Sequence, residues 1–247
     1  DILVTFSENV NIAGGVPELL LNTTPAQSAI YASYDAVTFT ATFNYTVVAG
    51  DYSALLDYAA FDALTLEGAT IQGVAGNDAD ITLFTPNTEG SLSFNKNIVI
   101  DAVVPVITNV TSQNFNDTYG VGQQIIVDVV FNKPVFVAVG TPSIALNSGP
   151  GAIATYNGIG SGTNTLQFTY VVLEGQESPD LNYLATNSLV ANGATIKDGS
   201  NTNANLTLPD PAGPNSLGSN KALVIDGTIK TITDVYADLP DGSYGAN

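Results

Sequence analysis

Carboxylate oxygen is the main chemical resource of this chain. Its 23 Asp and Glu residues stand against five Lys, with no Arg, His or Cys, and the formal charge is −18. Without His, Cys or Arg, the usual nucleophile–base triads, thiolate nucleophiles and cation-clamped oxyanions cannot be assembled. A carboxylate pair could act as in glycosidases, but no spacing singles one out, and the sequence reads as that of a protein that is not an enzyme. Loops of Asp, Asn and Gly can instead hold a hard cation, because calcium takes six to eight oxygens from carboxylates, amides and main-chain carbonyls. The candidate ligands are Asp51 and Asp57 in AGDYSALLD, Glu174 and Asp180 in EGQESPDLN, Asp117 in NDTYG, the seam residues Asp101 and Asp226, and Asp241. No EF-hand loop or nonapeptide glycine repeat occurs, so the expected affinity is on the order of 10⁻⁴–10⁻³ M, as in extracellular modules. The competing reading is that Asp and Asn shape turns and the acids keep the surface solvated.

These residues are carried by a repeat. Phe6 matches Phe131, Pro17 matches Pro142, Tyr31 matches Tyr156, Phe43 matches Phe168, Tyr58 matches Tyr183 and Lys96 matches Lys221. Every pair has the same offset (131 − 6 = 125), with no insertion between the first match and the last. Such a register marks two tandem copies of one unit. The copies are expected at residues 1–101, which lack the first strand, and 102–226. Residues 227–247 begin a third, carrying its first strand, Ile232–Val235, and first loop. The acids are less constant than the frame: Asp51 becomes Gln176, Asp57 becomes Asn182 and Glu8 becomes Lys133, while Asp101 and Asp226 match.

Each copy reads as all-β. Alternation in FTATFNYTVV puts Phe39, Ala41, Phe43, Tyr45 and Val47 on one face, and LQFTYVV repeats it through Leu166, Phe168, Tyr170 and Val172. That two-residue period belongs to a strand with one face on a core. Further strands are expected at Ile2–Phe6 and Val127–Phe131, Leu19–Leu21 and Ile144–Leu146, Ile81–Leu83 and Leu206–Leu208, and Ile98–Ile100 and Leu223–Ile225. No segment sustains a helical period. Short strands separated by Gly, Asn, Asp and Pro point to two tandem immunoglobulin-like β-sandwich domains, the C-terminal tail supplying the equivalent of the strand that the first one lacks. The seams VIDAVVPVITNV and VIDGTIKTITDV hold no Gly/Ser tract, which favours a stiff connection.

The segments FSENV, PELLLN and PSIALN, LQFTYVV, AGDYSALLDY, NGATIKD and VIDAVVP resemble the tandem Ig-like, cadherin-like repeats of giant bacterial surface proteins of adhesin or surface-filament type. The resemblance spans essentially the whole chain. It implies a cell-surface, extracellular location and a structural or adhesive task, with neighbouring copies joined head to tail. Some such proteins associate with calcium, which would sit weakly at the domain junctions and stiffen them. The rival expectations are a carbohydrate- or protein-binding adhesin module, whose partner is a cell-surface glycan or protein, and an S-layer subunit.

The acidity works against nucleic-acid binding and against anionic membrane surfaces. No apolar run reaches the roughly 20 residues that span a bilayer as a helix. NDADI, from Asn77 to Ile81, reads as a solvated turn. Sequons at Asn22, Asn44, Asn109, Asn116 and Asn205 are what an Asn- and Thr-rich composition produces. Lys96 and Lys221 could crosslink to an Asn, as in some surface Ig-like domains, or merely solvate the start of a strand.

Overall fold

The computed structural model describes every residue except 237, 239, 244, 246 and 247, which fall within the expected third repeat. The chain divides into two compact units: Asp1–Val104 with Ser200–Thr202, and Pro105–Gly199 with the residues from Asn203 on. Both are all-β, built from several sheets in an arrangement consistent with a β-sandwich.

In the first unit the largest sheet runs Ile2–Thr5, Thr40–Asn44, Ser28–Asp35, Glu18–Leu20, Leu64–Thr65, with neighbours antiparallel. Val10–Gly14 pairs with Ala69–Gly73, and Tyr52–Ser53 with Ile100–Asp101. The alternation places Ala41 and Phe43 in the core with Leu19, Leu21, Leu64 and Tyr58. Burying apolar side chains of this size contributes roughly 1.5–3 kcal/mol each.

The second unit repeats this plan with one strand more. Its main sheet runs Ile107–Ser112, Gln124–Ala138, Thr163–Val171, Ile153–Tyr156, Ser143–Ala145, Leu189–Val190. Gln124–Ala138 is a single bent strand whose register shifts between Val130 and Val135. Beyond the shift it pairs with Thr195–Lys197. Leu166, Phe168, Tyr170 and Val172 are all buried, as the alternation requires. Thr118–Gly120 runs parallel to Val224–Asp226, which also pairs with Glu177–Ser178.

The repeat extends to backbone geometry. Glu67 and Asn192 both have φ 49°, and the glycines after them, Gly68 and Gly193, both have φ 80°. Two successive positive φ values make the tight turn whose twist suits a hairpin. Gly15 and Gly140 lie against these turns at equivalent places. A Cβ on Gly15 would stand 1.9 Å from the Glu67 carbonyl oxygen, and one on Gly140 2.4 Å from the Ala194 nitrogen. Only glycine fits there.

Three expectations are corrected. Ile81–Leu83 and Leu206–Leu208 are not strands. Leu83 N–H and Leu208 N–H make single bonds to Phe61 and Thr186 carbonyls, and no ladder develops. The closing strands are Ile100–Asp101 and Val224–Asp226, displaced from the sequence reading towards the seam. Each unit also contains one helical turn, Leu92–Asn95 and Leu217–Asn220, whose N-caps Ser91 and Ser216 accept the Phe94 and Ser219 N–H groups. Ile232–Val235 forms no strand and is exposed. Within the second unit the place for such a strand is already held by Ile107–Ser112.

Candidate functional site

The acids singled out from sequence go to different places. Asp51 is fully buried. Its Oδ2 accepts the Tyr45 hydroxyl at 2.6 Å and the Val48 N–H at 2.8 Å, and its Oδ1 accepts the Gln27 side-chain amide at 3.0 Å. Burial pushes the carboxyl upward, but the hydroxyl, the N–H and the amide outweigh it, and the group sits below the ordinary range. Burial, and then the bond to Asp51 and its charge, drives the Tyr45 phenol well above its usual value. Asp57 is also buried. Its Oδ1 accepts the Tyr58 N–H at 2.9 Å, and its Oδ2 accepts the Asn87 N–H at 3.1 Å and the Ser93 hydroxyl. Both carboxylates therefore fasten loops to the sheet, and their oxygens face protein donors.

The second unit builds the same fastenings without charge. Gln176 Oε1 accepts the Tyr170 hydroxyl at 2.7 Å and the Leu173 N–H at 2.9 Å. Asn182 Oδ1 accepts the Tyr183 N–H at 2.9 Å, and its amide donates to the Pro211 carbonyl. Tyr58 and Tyr183 donate to the carbonyls of Phe84 and Pro209 at 2.6 and 2.7 Å. Burial, and then the charge of Asp210, push the Tyr183 phenol up to about 12.

The other candidates are nearer the surface. Asp101 is half-buried in its strand opposite Tyr52. Asp226, opposite Glu177, accepts the Thr228 N–H and pairs with Lys230 at 3.1 Å; the Thr228 contacts and Lys230 hold its carboxyl down. Thr228 also donates its hydroxyl to Glu177 Oε1 at 2.8 Å, tying the two acids together. Asp117 accepts the Thr118 N–H at 2.7 Å. Glu174, Asp180 and Asp241 are exposed. Burial is nonetheless the larger influence on the Asp180 carboxyl and raises it. Among the described residues no three acidic side chains converge as a metal centre would require. Lys221 donates to the Asn114 main-chain carbonyl at 2.9 Å.

The feature the sequence reading did not anticipate in shape is a groove of about 810 Å³ in the first unit. One wall is the outer edge of the Ile2–Thr5 strand and Phe6. The other is formed by residues 77–84, Gly90 and the helical turn with Asn95, Lys96 and Ile98. Leu19, Tyr58 and Leu64 reach its floor, so it opens directly onto the core. Grooves of this volume hold small ligands as well as chain segments. Asp1, Glu8, Asp78, Asp80 and Lys96 also line it, and among the described residues no three acids gather there as a metal group would. Comparison with family models, with curated proteins and with solved structures finds no match to this chain.

Proposed function

We propose that this chain is a structural repeat module of a long extracellular filament, stalk or adhesin, made of immunoglobulin-like domains that follow one another head to tail. The observation that carries this reading is the register: residues 1–101 and 126–226 repeat at an offset of 125 without insertion, and the register continues past Asp226 into a further Ile-Thr-x-Val segment. A catalytic or ligand-reading domain diversifies its loops, whereas these copies keep loop length and exchange hydrogen-bonding side chains of equivalent role. His, Cys and Arg, on which the usual triads and thiolate nucleophiles depend, are missing, and the −18 charge favours a solvated surface in a cation-rich medium. Calcium enters as a weak counter-ion at the seam acids Asp101 and Asp226.

Sedimentation and electron microscopy across a concentration series test the reading. The expected result is a concentration-dependent growth of linear particles. Particles that stay single at every concentration would overturn the filament. For calcium, the expected result is a higher melting temperature in millimolar calcium than in EGTA; equal values remove calcium from the proposal.

A further inference from the structure

Among the described residues a single strand ladder is parallel. Thr118 lies opposite Val224, Tyr119 opposite Ile225 and Gly120 opposite Asp226, while every other ladder is antiparallel. Parallel neighbours cannot be joined by a tight turn, so they bring together distant parts of a chain. Here they join the segment by which the chain enters the second unit to the segment by which it leaves.

The contact runs well beyond those three pairs. Val110 N–H donates to the Asn215 carbonyl at 2.9 Å, and the Asn220 amide donates to Asn109 Oδ1 and the Val110 carbonyl, each at 2.7 Å. Lys221 Nζ donates to the Asn114 carbonyl at 2.9 Å, and Ala222 N–H to Asn116 Oδ1 at 3.2 Å. Val224 N–H donates to the Asp117 carbonyl at 3.0 Å. From Asn220 on, the numbers rise together on both sides, so residues 109–120 and 215–226 make one seam of parallel sense.

The exit side of the seam is firmly held. Leu223 and Ile225 are buried in the core, and Val224–Asp226 is paired on its other flank with Glu177–Ser178. Pro105 lies behind the start of the seam and Gly227 beyond its end. Tension carried along the chain therefore pulls residues 109–120 back and residues 220–226 forward. In a parallel seam these two pulls are opposed along the strands, so the rungs are sheared and strained together. Had the force entered and left at one end, the rungs would open one after another, each at the strength of a single bond. Resistance to forced unfolding is set by the barrier to that first opening.

We infer that the seam between residues 109–120 and 215–226 is a force-bearing clamp, which makes the second unit resist stretching between its entry and its exit. Asn116 and Asn220, both exposed, are rungs of that clamp, and the main-chain ladder at Thr118–Gly120 is its last part to yield. That the clamp carries load within an assembly rests on the head-to-tail reading above; the seam and its parallel sense do not.

The chain has no cysteine, so two introduced thiols define where force is applied. Full-length Val106→Cys/Ile229→Cys chains, tethered through those exposed positions and stretched one molecule at a time, load the seam in shear. Val121→Cys/Ile229→Cys chains load it from the end where both strands finish, and peel it. Residues 1–104 lie outside the loaded path, and complete extension from 106 to 229 releases roughly 400 Å of chain. At equal pulling speed the unfolding force is expected to be several-fold higher in shear than in peeling. Adding Asn116→Ala and Asn220→Ala should lower the shear force and leave the peeling force, set at the intact 224–226 ladder, nearly unchanged. Equal forces in the two geometries overturn the inference. So does a double alanine variant that lowers both forces in proportion, the mark of lost stability alone. A shear-resistant seam in a chain that forms no linear particles would leave the clamp standing and overturn the filament; particles that grow while the two forces are equal would do the reverse.

Discussion

Gln27 donates its side-chain amide to Asp51 at 3.0 Å, and at the equivalent places in the second unit stand Ala152 and Gln176. The amide has moved from one residue of the pair to the other: a long donor with a short acceptor in one unit, a methyl with a long amide in the other. In both, a tyrosine six residues earlier donates its hydroxyl to the hub, Tyr45 to Asp51 and Tyr170 to Gln176. The frame keeps the tyrosine's acceptor and lets its chemistry vary.

Asp51→Ala is therefore expected to destabilise the first unit by about 2–4 kcal/mol, since three donors lose their acceptor and an unsatisfied buried group costs roughly 1–3 kcal/mol. Asp51→Gln alone overpacks the site against Gln27, at about 1–3 kcal/mol. The double change Gln27→Ala/Asp51→Gln reproduces the second unit and recovers most of that loss. Urea unfolding of the three variants measures the order.

Acid should act on the two units differently. The Asp51 carboxyl lies below its unfolded value of about 4. Its contribution is therefore complete above that value and is lost as pH falls through the folded pKa. Gln176 does not titrate. Asp128 in the second unit goes the other way: burial raises its carboxyl, offset in part by the Gln113 amide and the Lys221 charge. Protonating it relieves the folded state. The exposed Asp226 is lowered by Thr228 and Lys230, but solvent screens that contribution. On acidification below about pH 4, the first unit's melting transition should fall ahead of the second's, and Asp51→Asn should narrow the gap. Calorimetry at stepped pH reads both transitions.

The pair Lys133–Asp198, at 2.7 Å and largely buried, has the counterparts Glu8 and Gly73. A Cβ on Gly73 would meet Glu8 Oε1 at 2.9 Å. Gly73→Asp alone thus sets two carboxylates together, and Glu8→Lys should rescue it, with a coupling of about 1–3 kcal/mol in a double-mutant cycle. Additive effects would mean that the exchange of charge between the units is incidental.

Glu67 holds φ 49° where the second unit has Asn192, a residue that tolerates left-handed backbone. Glu67→Asn should raise stability by about 0.5–1 kcal/mol, while Gly15→Ala, whose Cβ would overlap the Glu67 carbonyl, should lower it by more than that. Thermal melts of both variants decide the sign.

Much of the frame was legible in the sequence. Phe43 and Phe168 lie in alternating runs, and the core positions follow from the period. The Ile81 and Leu206 segments misled because three apolar-flanked residues look like a strand whether or not a neighbouring edge is free to pair. The turns at Leu92 and Leu217 are a single turn long, too short for a helical period to register. The roles of Asp51 and Asp57 were hidden because an acid near Gly and Asn reads alike whether it points to solvent or to a tyrosine hydroxyl. Only the exchange for Gln176 and Asn182 hinted at them: an uncharged amide keeps the acceptor oxygen that the fastening needs.

Gly15 and Gly140 have a consequence for how the repeat can vary. Each backbone lies directly against the turn that holds Glu67–Gly68 or Asn192–Gly193. An inserted residue on either side of that contact would bring a Cβ where only hydrogen fits. The two segments of each contact must therefore keep their lengths together, while loops away from it are free to change.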